Sequence, residues 1–297
     1  MAIGGNLPKH LEVSAKTGVL HSPARDDMPY RRVAMEVVQD SKEGVFVDLG
    51  GMPIPSQNAK VVEDMIEKSK TVTPEDWYLT LRISQNAIDD DQTGTLEQRF
   101  KNVLPAFQRH INARVFTVLN AGDGTTIGTG VDALSLFNNS HIYPGARYQT
   151  AQDNLNALAI SNTNFNTVWV AARQFVDDQG NYNNFNYDLI VTHPTNAKAA
   201  AQIAENQEEA DNTDRNLNPF AGKVGYITVP EFDTTAWVLV ASGEPTKPVF
   251  VAIRKRPTLL NIWFDSQTGD GGMHYFQYHG RYTVDYGDWP TATMGGT

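Results

Sequence analysis

The chain of 297 residues contains no cysteine. That absence excludes disulfides and thiolate chemistry, so packing or partners must hold the fold. Basic residues are scarce as well, with 24 Lys and Arg against 34 Asp and Glu and a formal net charge of -10. A surface that grips nucleic acid needs a Lys/Arg footprint able to displace phosphate counterions, so weak, non-specific contact with DNA is the expectation rather than wrapping. Met1-Ala2-Ile3-Gly4-Gly5 lacks the basic, apolar and small-residue order of a signal peptide. No apolar run approaches a membrane span. A soluble product made in a cytoplasm, without internal repeats and long enough for two lobes around a sizeable core, is expected.

Catalytic constellations are equally poor. No Ser lies in a GxSxG elbow, and the seven histidines, His10, His21, His110, His141, His193, His274 and His279, show neither HExxH nor a clustered ligand spacing. His274 and His279 read as packing or surface residues of a terminal strand. Asp89-Asp90-Asp91-Gln92-Thr93-Gly94 opens like a calcium loop, but its twelfth position is Phe100 where a bidentate Glu is required. Those carboxylates are expected to face the positive end of the helix that follows. Gly122-Asp123-Gly124-Thr125-Thr126-Ile127-Gly128-Thr129-Gly130 has no GK[ST] ending and follows a helix rather than a strand, which argues against a phosphate loop. No catalytic, cofactor-binding or metal residue is assigned, and no enzyme activity is expected.

What the chain does have is a spine from Thr95 to Gly122. Thr95-Leu96-Glu97-Gln98 reads as a capping box, and Leu96, Phe100, Val103, Leu104, Phe107, Ile111, Val115, Val118 and Leu119 recur at three- and four-residue steps. Pro105 predicts a bend near residues 101–105 without ending the helix, because the stripe resumes in phase. Asn120-Ala121-Gly122 predicts a stop through a left-handed Gly.

Around the spine the patterns are shorter. Residues 1–27 show no sustained period, and a neighbouring chain is expected to pin this arm. Val33, Met35 and Val37 alternate with Arg32, Ala34 and Glu36, and Val45, Val47 and Leu49 recur at every second position after Gln39–Gly44, which predicts a hairpin that must lie on another surface. A short amphipathic helix carrying Val61, Val62, Met65 and Ile66 is expected next, then a half-buried strand over Trp77, Leu79, Leu81 and Ile83. Beyond the spine, Phe165, Val168, Trp169, Ala172, Phe175 and Val176 define a helix face. Tyr187–Val191, Val224–Val229 and Trp237–Ala241 read as strands of a mixed α/β lobe, with an Ala-rich helix running to Glu205 and an acidic exposed loop over Glu205–Asn218. Val249–Ile253, Leu259–Phe264 and Met273–Tyr286 make a strand-rich, aromatic end.

The order of these parts resembles the Hong Kong 97 type phage capsid fold, and the major head subunit of Mu-like phages more closely. The resemblance rests on Tyr78–Ser84 followed by Ile88–Gly94, on Leu136-Phe137-Asn138-Asn139-Ser140-His141 after the glycine loop, and on Asn218-Pro219-Phe220-Ala221-Gly222 before the Lys223–Val229 strand. It spans roughly residues 75–290 and implies an α+β capsid fold. The implied parts are an N-terminal arm (1–27), an extended β-hairpin or E-loop (28–75), a peripheral domain (76–140) with the spine helix (95–121), an axial α/β domain (141–247) and a C-terminal β-rich segment (248–297) that returns to both sheets. The implied function is a major capsid protein that self-assembles as hexamers and pentamers into an icosahedral virion shell around double-stranded DNA. Implied partners are further copies of itself, a portal, a separate scaffolding protein and possible decoration proteins, with host cytoplasm as the place of assembly. Some members of the fold cross-link subunits through a Lys and an Asn, and Lys42 at the expected hairpin tip is the candidate Lys.

Two rival classes stand beside this one. A carbohydrate-binding protein or hydrolase would use Tyr275, Tyr278, Tyr282 and Trp289 as a stacking platform, and a tail or baseplate structural protein would share the assembly logic.

Overall fold

A computed structural model describes residues 9–21, 28–48, 68–91, 95–143, 148–208, 217–268 and 271–296. In chain order the first elements are α1 (Lys9–His21), α2 (Tyr30–Val33), β1 (Ala34–Val38), β2 (Gly44–Asp48), β3 (Lys68–Val72), β4 (Glu75–Ser84), α3 (Gln85–Asp89), α4 (Thr95–Lys101) and α5 (Val103–Asn120). There follow β5 (Leu155–Asn156), α6 (Asn162–Ala172), β6 (Leu189–Thr192), α7 (Ala197–Glu205), β7 (Gly225–Thr228), β8 (Trp237–Val240), β9 (Val249–Asp265), β10 (Met273–Tyr286) and β11 (Ala292–Gly295). They make an α+β fold with three sheets, ordered β1-β9-β10-β4, β5-β11-β8-β6-β7 and β2-β3.

The spine is a helix in two pieces. The missing amide of Pro105 removes the bond that Lys101 O would receive, and the chain breaks at Asn102, whose N–H reaches back to Arg99 O (3.2 Å) before Ala106 N–H takes up Asn102 O (3.1 Å). Both pieces keep one apolar stripe, with Leu96, Phe100, Val103, Phe107, Ile111, Val115, Val118 and Leu119 buried. Two terminal details differ from expectation. Thr95 is already helical, and Asp91 Oδ2 accepts the Leu96 N–H (3.2 Å), so the acidic turn does the capping. At the other end α5 runs into a 3₁₀ turn over Ala121–Asp123 rather than a left-handed glycine. Gly122 is required there for space, since a Cβ would stand 2.7 Å from the Phe137 ring.

The four-stranded sheet lies on this spine. Phe276 meets Phe100 edge-on and Tyr282 meets Phe107 edge-on, while β4 contributes the buried Ile83 and the half-buried Trp77, Leu79 and Leu81 on the same side. The C-terminal strand signals over 249–253 and 259–264 join into one strand of 17 residues. Pro257 is tolerated inside it because the β9–β10 register shifts there, opposite Gly280, where no regular ladder bond is needed.

The hairpin pairing differs from the one expected. β1 does not pair with β2; it runs parallel to β9 (Ala34 with Val249 through Val38 with Ile253), and Gln39 N–H continues the ladder to Ile253 O. β2 pairs antiparallel with β3, Gly44 with Val72 through Asp48 with Lys68. Alternation identifies a strand but carries no information about its partner. Tyr30–Val33 is a single helical turn rather than the start of that strand. The expected helix around Val61–Ile66 lies outside the described residues.

In the second lobe the five-stranded sheet packs on α6 and α7. Phe165, Val168 and Ala172 of α6 and Ala200, Ile203 and Ala204 of α7 are buried, and Phe165 lies against Phe220 and Trp237. The Asn218–Gly222 stretch closes α7: Asn218 Nδ2 donates to Ile203 O (2.8 Å) and Asn206 O (2.9 Å), and Gly222, at φ 72°, donates its N–H to Ala204 O (2.8 Å). Of the acidic loop over 205–218, residues 209–216 lie outside the described residues. β11, which the sequence did not reveal, completes the sheet between β8 and β5.

Candidate assembly surfaces

The N-terminal arm is held by its own chain over its described part. Leu11 and Ala15 of α1 are buried one turn apart, Ser14 Oγ donates to Glu97 Oε1 (3.3 Å), and Tyr278 donates its hydroxyl to Ala15 O (3.1 Å). Residues 9–21 therefore already dock on their own chain. Their apolar positions are too few to make a visible period, and the helix is fixed by docking on α4 and the long sheet.

The outward face of the long sheet has two halves. Over the near half lies the β2–β3 pair, with Val72 packed against Phe250 and Ala252 together with Met35 and Val37. Lys70 Nζ holds Asp285 Oδ1 at 2.5 Å and sits over the Tyr286 ring at 5.5 Å, so the pair is fastened to β10 at its base. The far half is open. It presents Tyr78, Thr80 and Arg82 of β4 beside Tyr275, Gln277, His279 and Arg281 of β10, in register with Trp263, Asn261 and Thr258 of β9. Trp263 stacks on Tyr275 (4.9 Å, 2°) and Tyr78 on His279 (4.8 Å, 20°). Asp76 accepts from His279 Nε2 (2.7 Å) and forms an ion pair with Arg281 (Nε at 2.8 Å), and that bond and charge hold its carboxyl below the usual range. Tyr78, at 58% exposure, and Leu260, at 49%, are the large apolar side chains left to solvent on this half.

The sugar-platform reading fails on burial. Tyr278, Tyr282 and Trp289 are core residues at 0–2% exposure, and Tyr275 is covered on one side by Trp263. Burial raises the hydroxyl pKa of both tyrosines, as it does for Tyr30, pushed up to about 12 by burial and the bond it donates to Glu36 (2.7 Å). Aromatic density marked a core, not a binding platform.

The histidines whose side chains are described go to separate places. His110 meets Tyr282 OH (2.7 Å), His274 meets Gln85 Oε1 (2.7 Å), His279 meets Asp76, and His193 meets Thr195 Oγ1 (2.6 Å). His274 faces inward and His279 outward on β10, so they form no metal pair, and no cluster of metal-ligating side chains occurs among the described residues. Lys42 is exposed in the bend between β1 and β2, at the base of the β2–β3 pair rather than at its tip.

His141 belongs to a buried junction. The loop after the spine folds back on it, Leu136 and Phe137 being buried and Phe137 N–H reaching Gly122 O (2.7 Å). Asn154 then draws three carbonyls together, donating to Leu136 O (3.0 Å), Ala292 O (3.2 Å) and Trp289 O (3.3 Å). His141 lies flat on Trp289, with centroids 4.3 Å apart and planes 1° apart. Asp132 meets His141 Nδ1 (2.5 Å), and nothing in the sequence marks Asn154 or Asp132, because a buried polar residue has the same letter as an exposed one.

A long helix laid under a long sheet, a fastened two-stranded projection, an N-terminal helix strapped alongside and a separate α/β lobe define the shell-forming subunit of a Hong Kong 97 type capsid. The family model described as phage capsid protein matches residues 67–292, and the chain belongs to that family. Among solved structures it resembles the capsid of bacteriophage JBD30 decorated with minor capsid protein trimers, at 16% identity over 76% of this chain and 97% of that one, TM-score 0.55. It also resembles the capsid of a native GTA particle, at 12% identity over 92% and 90% of the two chains, TM-score 0.55. A Mycobacterium phage Patience chain follows at 11% identity over 99% and 88%, TM-score 0.53. At such identities the likeness is one of fold. No curated protein matches the chain.

Proposed function

We propose that this capsid protein is the major head subunit, and that copies of it tile as hexamers and pentamers into an icosahedral shell around double-stranded DNA. The observation that supports this most is the half-open long sheet, whose outward side chains Tyr78, Leu260, Trp263 and Tyr275 are incompletely covered by the chain itself. A monomer gains nothing by ordering such a face, whereas a neighbour laid across it buries apolar area on both partners. Head-to-tail contacts close into rings of different number when the rotation between copies changes slightly.

In this reading the spine and long sheet form the peripheral domain (76–140 with β1 and strands from 248–297), the part of the 28–75 segment beyond β1 forms the E-loop that reaches a neighbour, and residues 141–247 form the axial domain. The role is structural, without catalysis or cofactor. Partners are other copies, a separate scaffolding protein, a portal and a decoration protein, the last supported by the JBD30 neighbour, whose capsid is described as decorated with minor capsid protein trimers. A net charge of -10 suits a container wall that touches its genome weakly. Assembly takes place in the host cytoplasm and the product resides in the virion.

Sedimentation of the purified chain with and without its scaffold, followed by negative-stain imaging of the fastest fraction, tests the proposal. Rings of six and five or closed shells are expected. A monomer that persists across concentration with the scaffold supplied overturns it.

A further inference from the structure

We infer that His141 is an imidazolium buried in the subunit, an internal cation that ties the loop after the spine to the five-stranded sheet. The inference follows from which atoms can donate. Asn154 Nδ2 faces the carbonyls of Leu136, Ala292 and Trp289, and carbonyls only accept, so that nitrogen is correctly placed. Its Oδ1 therefore faces Asn138 N–H (2.8 Å) and His141 Nε2 (3.1 Å). An amide oxygen cannot donate, so His141 Nε2 carries a proton.

The other ring nitrogen faces a carboxylate. His141 Nδ1 stands 2.5 Å from Asp132 Oδ2, with the two side chains 0% and 1% exposed. One proton must lie between them, on the nitrogen or on the oxygen. Three features favour the nitrogen. Asp132 Oδ1 also accepts the Leu134 N–H (3.2 Å), a bond that favours the ionised carboxylate. The face of Trp289 against the ring stabilises positive charge. Imidazole is also ordinarily the more basic partner. The groups packed around the ring are Asp132 from the loop, Gln152 and Asn154 from the opposing segment, and Trp289, itself flanked by Tyr143 and Phe175 and preceded by Asp288. The carboxylate bonded to the ring is that of Asp132. A charge pair so enclosed is costly to break and cheap to keep only while both members stay charged, which makes it a lock on one arrangement of the junction.

Magic-angle-spinning NMR of the full chain, labelled with ¹⁵N-histidine and ¹³C-aspartate, tests this. The expected result is one histidine with both ring nitrogens protonated, correlated to an ionised Asp132 carboxylate. A ring with one bare nitrogen, or a protonated Asp132 carboxyl, overturns the inference. In Asp132→Asn the doubly protonated fraction under the same conditions is expected to fall roughly tenfold or more, since one charge-assisted hydrogen bond is lost; a ring that keeps both protons refutes the pairing. If that variant does not fold, the spectrum of the unaltered chain decides by itself.

Discussion

The two lobes solve burial differently. In the five-stranded sheet every residue of the central strands β6, β8 and β11 is buried, on both faces and within one chain. In the four-stranded sheet β4 alternates between half-buried and exposed positions, and the far half of β9 is largely uncovered. The first sheet is finished by its own helices, whereas the second keeps one face for something else. A self-assembling subunit needs both: one lobe that holds its shape alone and one that is completed only by neighbours.

The largest expected effects lie in the cores, where the lobes should not differ. Trp237→Ala removes a 0% exposed ring that donates to Leu158 O (2.8 Å), and Phe276→Ala removes the ring that meets Phe100. Each should cost about 3–5 kcal/mol in denaturant unfolding, enough to leave little folded chain. If only Trp237→Ala did so, the long sheet would have no core of its own and the contrast would need redrawing. Next, Gly287→Ala would place a Cβ 2.2 Å from Lys247 O where the long sheet hands over to the small one, and a loss of about 1–3 kcal/mol in thermal unfolding is expected.

Smaller and more local is Lys70→Ala. It leaves Asp285 without its partner and should raise amide hydrogen exchange in β2 and β3 while β6 and β8 stay protected. Equal exchange in both sheets would show that the projection is not a separable unit.

Acid should sharpen the contrast further. Burial holds His110 and His274 below the ordinary histidine range, with Arg114 adding to the effect at His110, and both sit at the long sheet. The unfolded chain takes up those protons near pH 6.5 while the folded chain resists, so stability falls as the pH drops below about 6.5. The thermal midpoint measured at neutral and mildly acid pH should decline less in His274→Gln; an equal decline would remove that histidine from the account.

The smallest effect on stability is the most informative. Tyr78→Ala, on the open half, should change unfolding by no more than about 0.5 kcal/mol yet reduce particle yield when assembly is scored by sedimentation. A large loss of stability in the isolated chain would mean that this face is already finished within one subunit.

The strand over Trp77–Ile83, the helix face from Phe165 to Ala172, the spine stripe and the core strands of the second lobe were legible in the sequence, but α6 stops before the expected Phe175 and Val176, and near Pro105 the spine breaks where only a bend was expected. Each depends on local spacing, and periods of 2 and 3.6 survive in any context. The same spacing could not say that β1 runs beside β9, that α1 docks on its own chain, that Asp91 rather than Thr95 caps the spine, or that Tyr278, Tyr282 and Trp289 are interior. Those are relations between residues up to 263 positions apart, as with Ala15 and Tyr278. Local pattern therefore determined which segments would be helix or strand, and through their order the resemblance to a capsid fold. Only the tertiary structure decided which strands pair, which aromatic rings are core, and that Asp132, His141, Asn154 and Trp289 share one buried site, because strand pairing, burial and partnership depend on what the rest of the chain brings alongside.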